Sequence, residues 1–471
     1  MNRSISVYLS RLNLRYKGEF MSMSTIQQFS TDFHRSMRHF SKLVHLPKVL
    51  RSCNVNKSRG INISELFEWA IGTIFSRYSF ERATADSRFT TKTVRNCLND
   101  ARMNWQRLVL MLGMNLIEYI QGFTDKRRIQ ALIIDDSLFK REFSKHTELL
   151  SKVFDHDNQR FYKGFRALTL GWSDGNTFLP LNFALMSSSK PSNQLGPTKQ
   201  YDGRTLSAKR RTQARRKMSD VAVELVEEAL KDGTRAKVVL FDSWFTSPKM
   251  FARLQALGVD GLGMLKRSDK VYFRYRGRQM TVKSLYERLR KSRYATHDNY
   301  LYSPVVQFEV NGNVMAVKLV FVPNRHDPSK FLVLGTTKIS MKPDEIIQMY
   351  GRRWQIEGFF KVGKQYLQFD HTQTQSYDGL CGHLAMVMLS YDILALCQRE
   401  NIDERTLGDL FFDFGRILPD IEFIKALKRL MTLFSGIATQ GTIDSTTVNE
   451  LLEKFMQTLP SNLVGMLGSV A

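Results

Sequence analysis

The chain has 471 residues, of which 43% are hydrophobic and 11% aromatic, so it can form a packed core and wholesale disorder is excluded. Its length predicts two to four lobes. Lys and Arg outnumber Asp and Glu by 69 to 45, and the resulting net charge of +24 favours a polyanionic partner, either nucleic acid or an anionic membrane surface.

No apolar run approaches the ~18 residues needed to span a bilayer, so we expect no membrane association. The first twenty residues are basic but lack an apolar segment and a small-residue cleavage site, so export is not expected. The four cysteines form no CxxC pair and have no histidine at zinc-ligand spacing, which is typical of reduced thiols in a cytosolic protein. Nucleic acid is therefore the favoured partner.

The first part of the chain, residues 1–125, is predicted to be a helical DNA-binding region. Residues 1–60 carry eleven basic and two acidic residues, and apolar positions then recur at three- and four-residue spacing. Between two such segments, "TTKTVRNCLND" predicts a short, threonine-capped helix of the kind that reads DNA, although an ordinary helical bundle fits each helix equally well.

The pattern changes to α/β over residues 126–268. "ALIIDD" and "KVVLFDSW" are apolar runs that end in carboxylates, and "SDGN" joins two apolar runs into a hairpin. Residues 206–233 predict one helix that is basic at its start. Ser247 and Pro248 predict the cap and first position of another helix, and residues 260–266 predict a further strand.

Alternating residues over 269–337 predict an antiparallel β-rich insertion. Residues 338–400 then return to helices that complete the core. The last part, 401–471, is predicted to be helical, and its nine acidic against six basic residues make it a candidate surface for dimerisation.

The segment "MYGRRWQIEGFFKVGKQYL" places Glu357 alone among cations. Treated as one helix, Tyr350, Arg353, Glu357 and Lys364 share a polar stripe beside an apolar one. A solvated face with Glu–Lys pairs explains this stripe if it is taken alone. Two strand-end aspartates elsewhere change that interpretation, because they and Glu357 can converge on divalent cations that bracket a phosphodiester.

The spacing Y-(2)-R-(3)-E-(6)-K in "YGRRWQIEGFFKVGK" resembles the signature of the IS-four family of DDE transposases. "LIIDDS", "YDGRTLSAKRR" and "VVLFDSWFTSP" are similar to other blocks of that family, in the same order. The resemblance covers roughly residues 125–400 and implies an RNase H-like mixed-sheet catalytic core interrupted by a β-rich insertion.

The resemblance implies catalytic, metal-binding roles for Asp136, Asp242 and Glu357, with two Mg²⁺ ions for which Mn²⁺ can substitute. Asp136 is preferred because Ser137 follows it, but Asp135 remains an alternative, since both faces of "ALIIDD" are apolar. DNA contacts are expected from residues of the signature and of the basic block: Tyr350, Arg353, Lys361, Lys364, Lys209, Arg210 and Arg211.

The implied reaction is metal-dependent cleavage of double-stranded DNA at the ends of an insertion sequence, followed by strand transfer to target DNA. Such a protein is expected to act as a homodimer in the bacterial cytoplasm, associated with the nucleoid. Two alternatives remain: an RNase H-like nuclease without strand transfer, and an inactive DNA-binding regulator derived from a transposase.

Overall fold

A computed structural model describes residues 35–55, 62–77, 89–125, 127–155, 158–268, 271–291, 302–323 and 330–400. Residues 36–412 belong to one compact unit. The predictions for residues 1–34 and for the acidic segment 401–471, including its role in dimerisation, lie outside the described residues.

Helices precede the sheet, as the sequence predicts. Residues 35–43 are helical and are followed by α1 (Leu46–Ser52), α2 (Ile63–Ser76), α3 (Thr91–Leu98) and α4 (Trp105–Gln121). The hydroxyl of Thr90 accepts the backbone N–H of Thr93, so the predicted threonine cap of α3 is confirmed. The cap fixes where α3 begins and leaves its polar face exposed.

The central sheet begins with β1 (Ala131–Lys140), β2 (Ser151–Asp155), β3 (Arg160–Ser173) and β4 (Phe178–Met186). After α5 (Leu206–Ala214) and α6 (Met218–Lys231) come β5 (Val238–Phe241), α7 (Pro248–Ala256) and β6 (Asp260–Met264). β1 is antiparallel to β3 and parallel to β5, giving the order β4–β3–β1–β5–β6. The predicted RNase H-like mixed sheet is confirmed.

The segment between β6 and the last helices extends this sheet. It contains β7 (Tyr272–Tyr275), β8 (Arg278–Thr281), α8 (Val282–Arg290), β9 (Val305–Val310), β10 (Asn313–Pro323) and β11 (Phe331–Thr336). β11 pairs antiparallel with β6, and β10, β9, β7 and β8 follow outward. The insertion is therefore antiparallel and rich in strands, as its alternating sequence predicts, and α8 is an addition to that prediction.

Three helices follow: α9 (Pro343–Gly351), α10 (Trp354–Gln365) and α11 (Tyr377–Glu400). The expectation of one continuous helix through the signature is wrong, because the chain breaks between α9 and α10 at Arg352 and Arg353. The single helix predicted over 206–233 is likewise divided, into α5 and α6. Each break is held by contacts to distant parts of the chain, which the local sequence does not reveal.

Helix α11 is the one helix in the described residues that is long and apolar enough to cross a membrane. Its most apolar 18-residue window, of mean hydropathy 1.7, is entirely buried against the rest of the protein. It packs against α4, α2, β4 and α10. Burial on all sides explains why it is apolar around its whole circumference.

Candidate active site

Two aspartates lie side by side where the parallel strands β1 and β5 run together. The register pairs Ile134 with Phe241, so Asp135 lies at the next position within β1 and Asp242 at the next position, directly after β5. Residues at the same level of adjacent parallel strands point to the same face of a sheet. Asp135 and Asp242 therefore share a face, and Asp136 points to the other one.

The first acidic strand does not end at its aspartates. β1 continues to Lys140, so the prediction that Asp136 closes a strand is wrong. Asp242 does follow the last residue of β5, and its Oδ1 accepts the backbone N–H groups of Trp244 (2.9 Å) and Phe245 (3.2 Å). These bonds fix the Asp242 carboxylate at the carboxyl end of the strand.

Arg353, at the start of α10, joins the aspartate face to the glutamate of the same helix. Its guanidinium donates to Oδ2 of Asp135 at 3.1 Å and to Oε1 of Glu357 at 2.6 Å. The Arg353 side chain is only 10% exposed, so this bridge is weakly screened by solvent. Asp135, Asp242, Arg353 and Glu357 therefore form one charged cluster, which we call the carboxylate site.

The break between α9 and α10 is anchored to the β3–β4 turn, to the end of β3 and to the segment that precedes β1. Arg352 donates to the carbonyl of Ile129 (2.6 Å), and Gln355 accepts the hydroxyl of Ser173 and donates to the carbonyl of Gly175 (3.2 Å). Gly175 has a φ of 98°, and a Cβ there would lie 3.0 Å from the Arg352 guanidinium. A glycine thus allows the helix break to pack closely enough to hold Arg353 in position.

Burial and two neighbouring carboxylates, Asp136 and Asp242, raise the pKa of Asp135 to about 7, while Arg353 opposes them. Burial also raises the pKa of Tyr350, an effect strengthened by Asp242 and Asp135 and opposed by Arg353. The Tyr350 hydroxyl and the Arg353 Nε are buried without a hydrogen-bond partner among the described residues. The site thus concentrates negative charge and holds unsatisfied donors beside it.

As they are arranged in the structure, Asp135 and Asp242 suit a divalent cation better than the three carboxylates Asp135, Asp242 and Glu357 do together. Two adjacent carboxylates, one with a strongly raised pKa, are stabilised by a bound cation that neutralises their repulsion. Among the described residues, however, no three Asp, Glu, His or Cys side chains are grouped closely enough to hold a metal ion. Glu357 is engaged by Arg353, so it can complete such a ligand set only if that ion pair opens.

The raised pKa predicts a pH dependence of folding stability. A carboxyl whose pKa is higher in the folded than in the unfolded state contributes stability at low pH that is lost as pH rises through the folded value. In EDTA, the wild type is therefore expected to lose stability relative to Asp135→Asn between pH 4 and pH 8. Urea denaturation at each pH measures this, and a constant difference would show that Asp135 titrates normally.

Asp136 has a different partner from Asp135. Its carboxylate accepts a hydrogen bond from Nε of Arg166 on β3, and its side chain is only 7% exposed. Arg353 bridges Asp135 and Glu357 but is not hydrogen-bonded to Asp136. Of the two aspartates considered from the sequence, the structure brings Asp135 to Asp242 and places Asp136 against Arg166.

The other signature residues lie around the carboxylate site at different depths. Tyr350 is partly buried on α9, and the Arg353 guanidinium lies 5.7 Å from its ring centroid. Lys361 and Lys364 are exposed on α10. Trp354 is 61% exposed, with its ring centroid 5.2 Å from the same guanidinium. An exposed tryptophan therefore borders the site beside a buried arginine.

The basic block of α5 has two kinds of cation. Arg210 and Arg211 are 5% and 6% exposed and form ion pairs with Asp378, and Arg211 also pairs with Glu148 at 2.8 Å through two nitrogens. These two arginines therefore have an internal role in place of the expected DNA contact, because their guanidiniums are paired with buried carboxylates. Lys209 is exposed, and its DNA contact stays a prediction.

Sequence reasoning missed three contributors to these interactions: Arg166, Glu148 and Asp378. Each is the partner of a distant residue, so no local spacing indicates it. Asp174, interpreted as a turn residue, does accept the backbone N–H groups of Asn176 and Thr177. Its other oxygen pairs with Arg399 at 3.0 Å, so it also ties the hairpin to α11.

The sequence matches one known protein family over about half of its length. The family model described as DDE superfamily endonuclease matches residues 73–310, about half of the chain, including Asp135 and Asp242 and ending before Glu357. A search of curated proteins finds no match. Endonucleases of this superfamily act on DNA and generally use divalent metals. Because this match covers half of the chain and the mixed sheet carries the aspartates, the chain belongs to the DDE superfamily of endonucleases.

Proposed function

We propose that this protein is a DDE transposase similar to the IS-four family, which cleaves DNA at the ends of its insertion sequence and joins the released ends to target DNA. The observation that carries the proposal is the common level of Asp135 and Asp242 on β1 and β5, facing the Arg353–Glu357 pair of α10. The signature of α9 and α10 supports the transposase interpretation over that of a general nuclease.

In this proposal Asp135, Asp242 and Glu357 are the catalytic carboxylates. Asp135 takes the place that the resemblance gave to Asp136, because Asp136 lies on the opposite face of β1 and is bonded to Arg166. Mg²⁺ held there would activate the attacking oxygen and stabilise charge on the scissile phosphate. Arg353 holds Asp135 and Glu357 together before DNA binds.

DNA enters the proposal as the substrate and the dominant partner. Exposed Lys361 and Lys364 on α10 supply positive charge for the backbone of the element end, as does Lys209 on α5. Trp354 and Trp244, which are 61% and 41% exposed, offer ring faces to an unstacked base. Synapsis of two ends would use a homodimer in the bacterial cytoplasm, where the substrate DNA is located.

The test uses the gene on a plasmid with its native flanking DNA on both sides. Purified protein and Mg²⁺ are expected to release 3′-hydroxyl ends at the element boundaries and to join them to a second plasmid. Asp242→Asn and Glu357→Gln proteins are expected to bind this DNA without cutting it. Cleavage without joined products would favour the nuclease alternative, and binding without cleavage by the wild type would favour the inactive regulator.

A further inference from the structure

A large groove lies at the end of β1 beyond the carboxylate site. It encloses about 1200 Å³ and is bordered by α2, α3, the segment 140–144 that follows β1, and the segment 368–376 before α11. Most of its lining residues are polar or charged, with Ile74, Leu98 and Phe143 as the exceptions, whereas a small-molecule pocket typically has mostly apolar lining residues. A ligand that fills it must therefore be recognised largely through polar contacts.

The charge of the groove is strongly positive. Five cations and two carboxylates line it: Arg77, Arg95, Lys140, Arg141, Lys199, Glu142 and Asp370. Lys199 is exposed, and the Lys140 ammonium lies 4.3 Å from the Tyr162 ring centroid. An excess of cations over a concave surface favours a polyanion such as a phosphodiester backbone.

Hydrogen bonds between its walls hold the groove in shape. Gln368 donates to the carbonyls of Thr73 (3.1 Å) and Ile74 (3.2 Å), which links the segment before α11 to helix α2. Arg141 donates to the carbonyl of Thr374 at 2.8 Å, and Ser376 donates to Asn99 at the end of α3. Because the walls are tied to one another, the groove is preformed and binding requires little ordering.

An aromatic side chain stands at the rim of the groove. Phe143, in the segment after β1, is 98% exposed. A fully exposed phenylalanine loses apolar burial, and single-stranded or distorted nucleic acid offers bases on which such a ring can stack. Phe143 thus presents an exposed ring at the edge of a positively charged groove.

Strand β1 connects the groove with the carboxylate site. Desolvation of its ammonium group lowers the pKa of Lys364 on α10; Asp370, which lines the groove, opposes this effect, and Arg166 and Lys140 lower the pKa further. Lys140 ends β1, five residues after Asp135, and lines the groove. Strand β1 therefore runs from the carboxylate site to the groove, where Lys140 adds positive charge.

We propose that this groove binds the DNA that flanks the cleaved phosphate, with Lys140 and Lys199 contacting backbone phosphates and Phe143 contacting a base. The proposal rests on the proposed function, since it assigns the path of the same substrate. Because α3 forms one wall of the groove, the proposal also brings this short helix into contact with DNA. This contact would be additional to the DNA reading that its sequence predicts.

The test measures binding of native flanking duplexes in EDTA, so that no cleavage is needed. Each phosphate contact contributes about 0.9 to the slope of log Kd against log salt concentration. The double variant Lys140→Gln/Lys199→Gln is expected to lower that slope by about 2 on long duplexes and to leave it unchanged on duplexes truncated at one side of the cleavage position. On flanking duplexes that carry an unpaired base, Phe143→Ala is expected to weaken binding about 5- to 100-fold with an unchanged slope.

The matched control is Lys231→Gln/Lys237→Gln, which removes the same charge from exposed lysines at the opposite end of β5 from Asp242. Equal slopes for the two double variants on every duplex would overturn the proposal. If the groove variant alone changes the slope while the wild type cuts no DNA, the groove assignment stands and the transposase function fails. If the wild type cleaves DNA but the groove variant does not change the slope, the transposase function stands and the groove assignment fails.

Discussion

Replacing Asp135 with Asn is expected to reduce DNA cleavage by about 10³-fold or more, whereas Asp136→Asn is expected to leave cleavage within about tenfold of the wild type. Asp135 lies at the level of Asp242 and contacts Arg353, so its carboxylate is part of the carboxylate site. Asp136 is bonded to Arg166 on the other face of the strand. The two variants differ by one position and carry the same chemical change.

Single-turnover cleavage of end DNA, with initial rates at saturating Mg²⁺, is the measurement for this pair. Thermal melting of both variants is the control, because Asp136→Asn replaces the charged partner of Arg166 with a neutral amide and is expected to cost about 1–3 kcal/mol of stability. If the Asp136→Asn protein is folded but cannot cleave, and the Asp135→Asn protein is active, the first catalytic aspartate is Asp136, as the family resemblance implies.

Replacing Arg211 with Ala is expected to lower the free energy of unfolding by about 3–5 kcal/mol, because it leaves buried Glu148 without its ion-pair partner and leaves Asp378 with Arg210 alone. Glu148 and Asp378 are each about 1% exposed, and both accept hydrogen bonds from the Arg211 guanidinium. Urea denaturation followed by fluorescence measures the difference. The free energy is compared with that of Lys209→Ala, which removes an exposed cation two residues away.

Lys209→Ala is expected to change stability by less than about 0.5 kcal/mol, as is usual for an exposed site. It is also expected to weaken DNA binding, whereas the folded fraction of Arg211→Ala should bind DNA normally. Equal unfolding midpoints for the two variants would show that the buried ion pairs contribute nothing. A specific DNA-binding defect in Arg211→Ala, with unchanged stability, would restore the direct contact inferred from the basic sequence block.

Features set by neighbouring residues were predictable from the sequence. The Ser247 hydroxyl caps α7 by accepting the backbone N–H of Met250, with Pro248 at the first helical position. The β3–β4 hairpin likewise forms around the "SDGN" turn. Both depend on backbone groups within four residues of the deciding side chain, and such patterns are visible in a single sequence.

The choice between Asp135 and Asp136 depends on information that the sequence lacks. Residues Leu132, Ile133 and Ile134 are all fully buried, so β1 is covered on both faces and no alternation marks the side that faces α10. The register of β1 with β5 decides the question. Helix breaks such as that at Arg352 are similarly fixed by contacts with residues more than a hundred positions away.

The pairing of β11 with β6 has a consequence for chain entropy and evolution. Leu334 pairs with Met264, so the insertion leaves and re-enters the core at adjacent strands. Each doubling in the length of a flexible loop with fixed ends costs only about 0.6 kcal/mol. Segments between β6 and β11 can therefore be lengthened, shortened or exchanged while α9 and α10, and with them Arg353 and Glu357, keep their positions over β1.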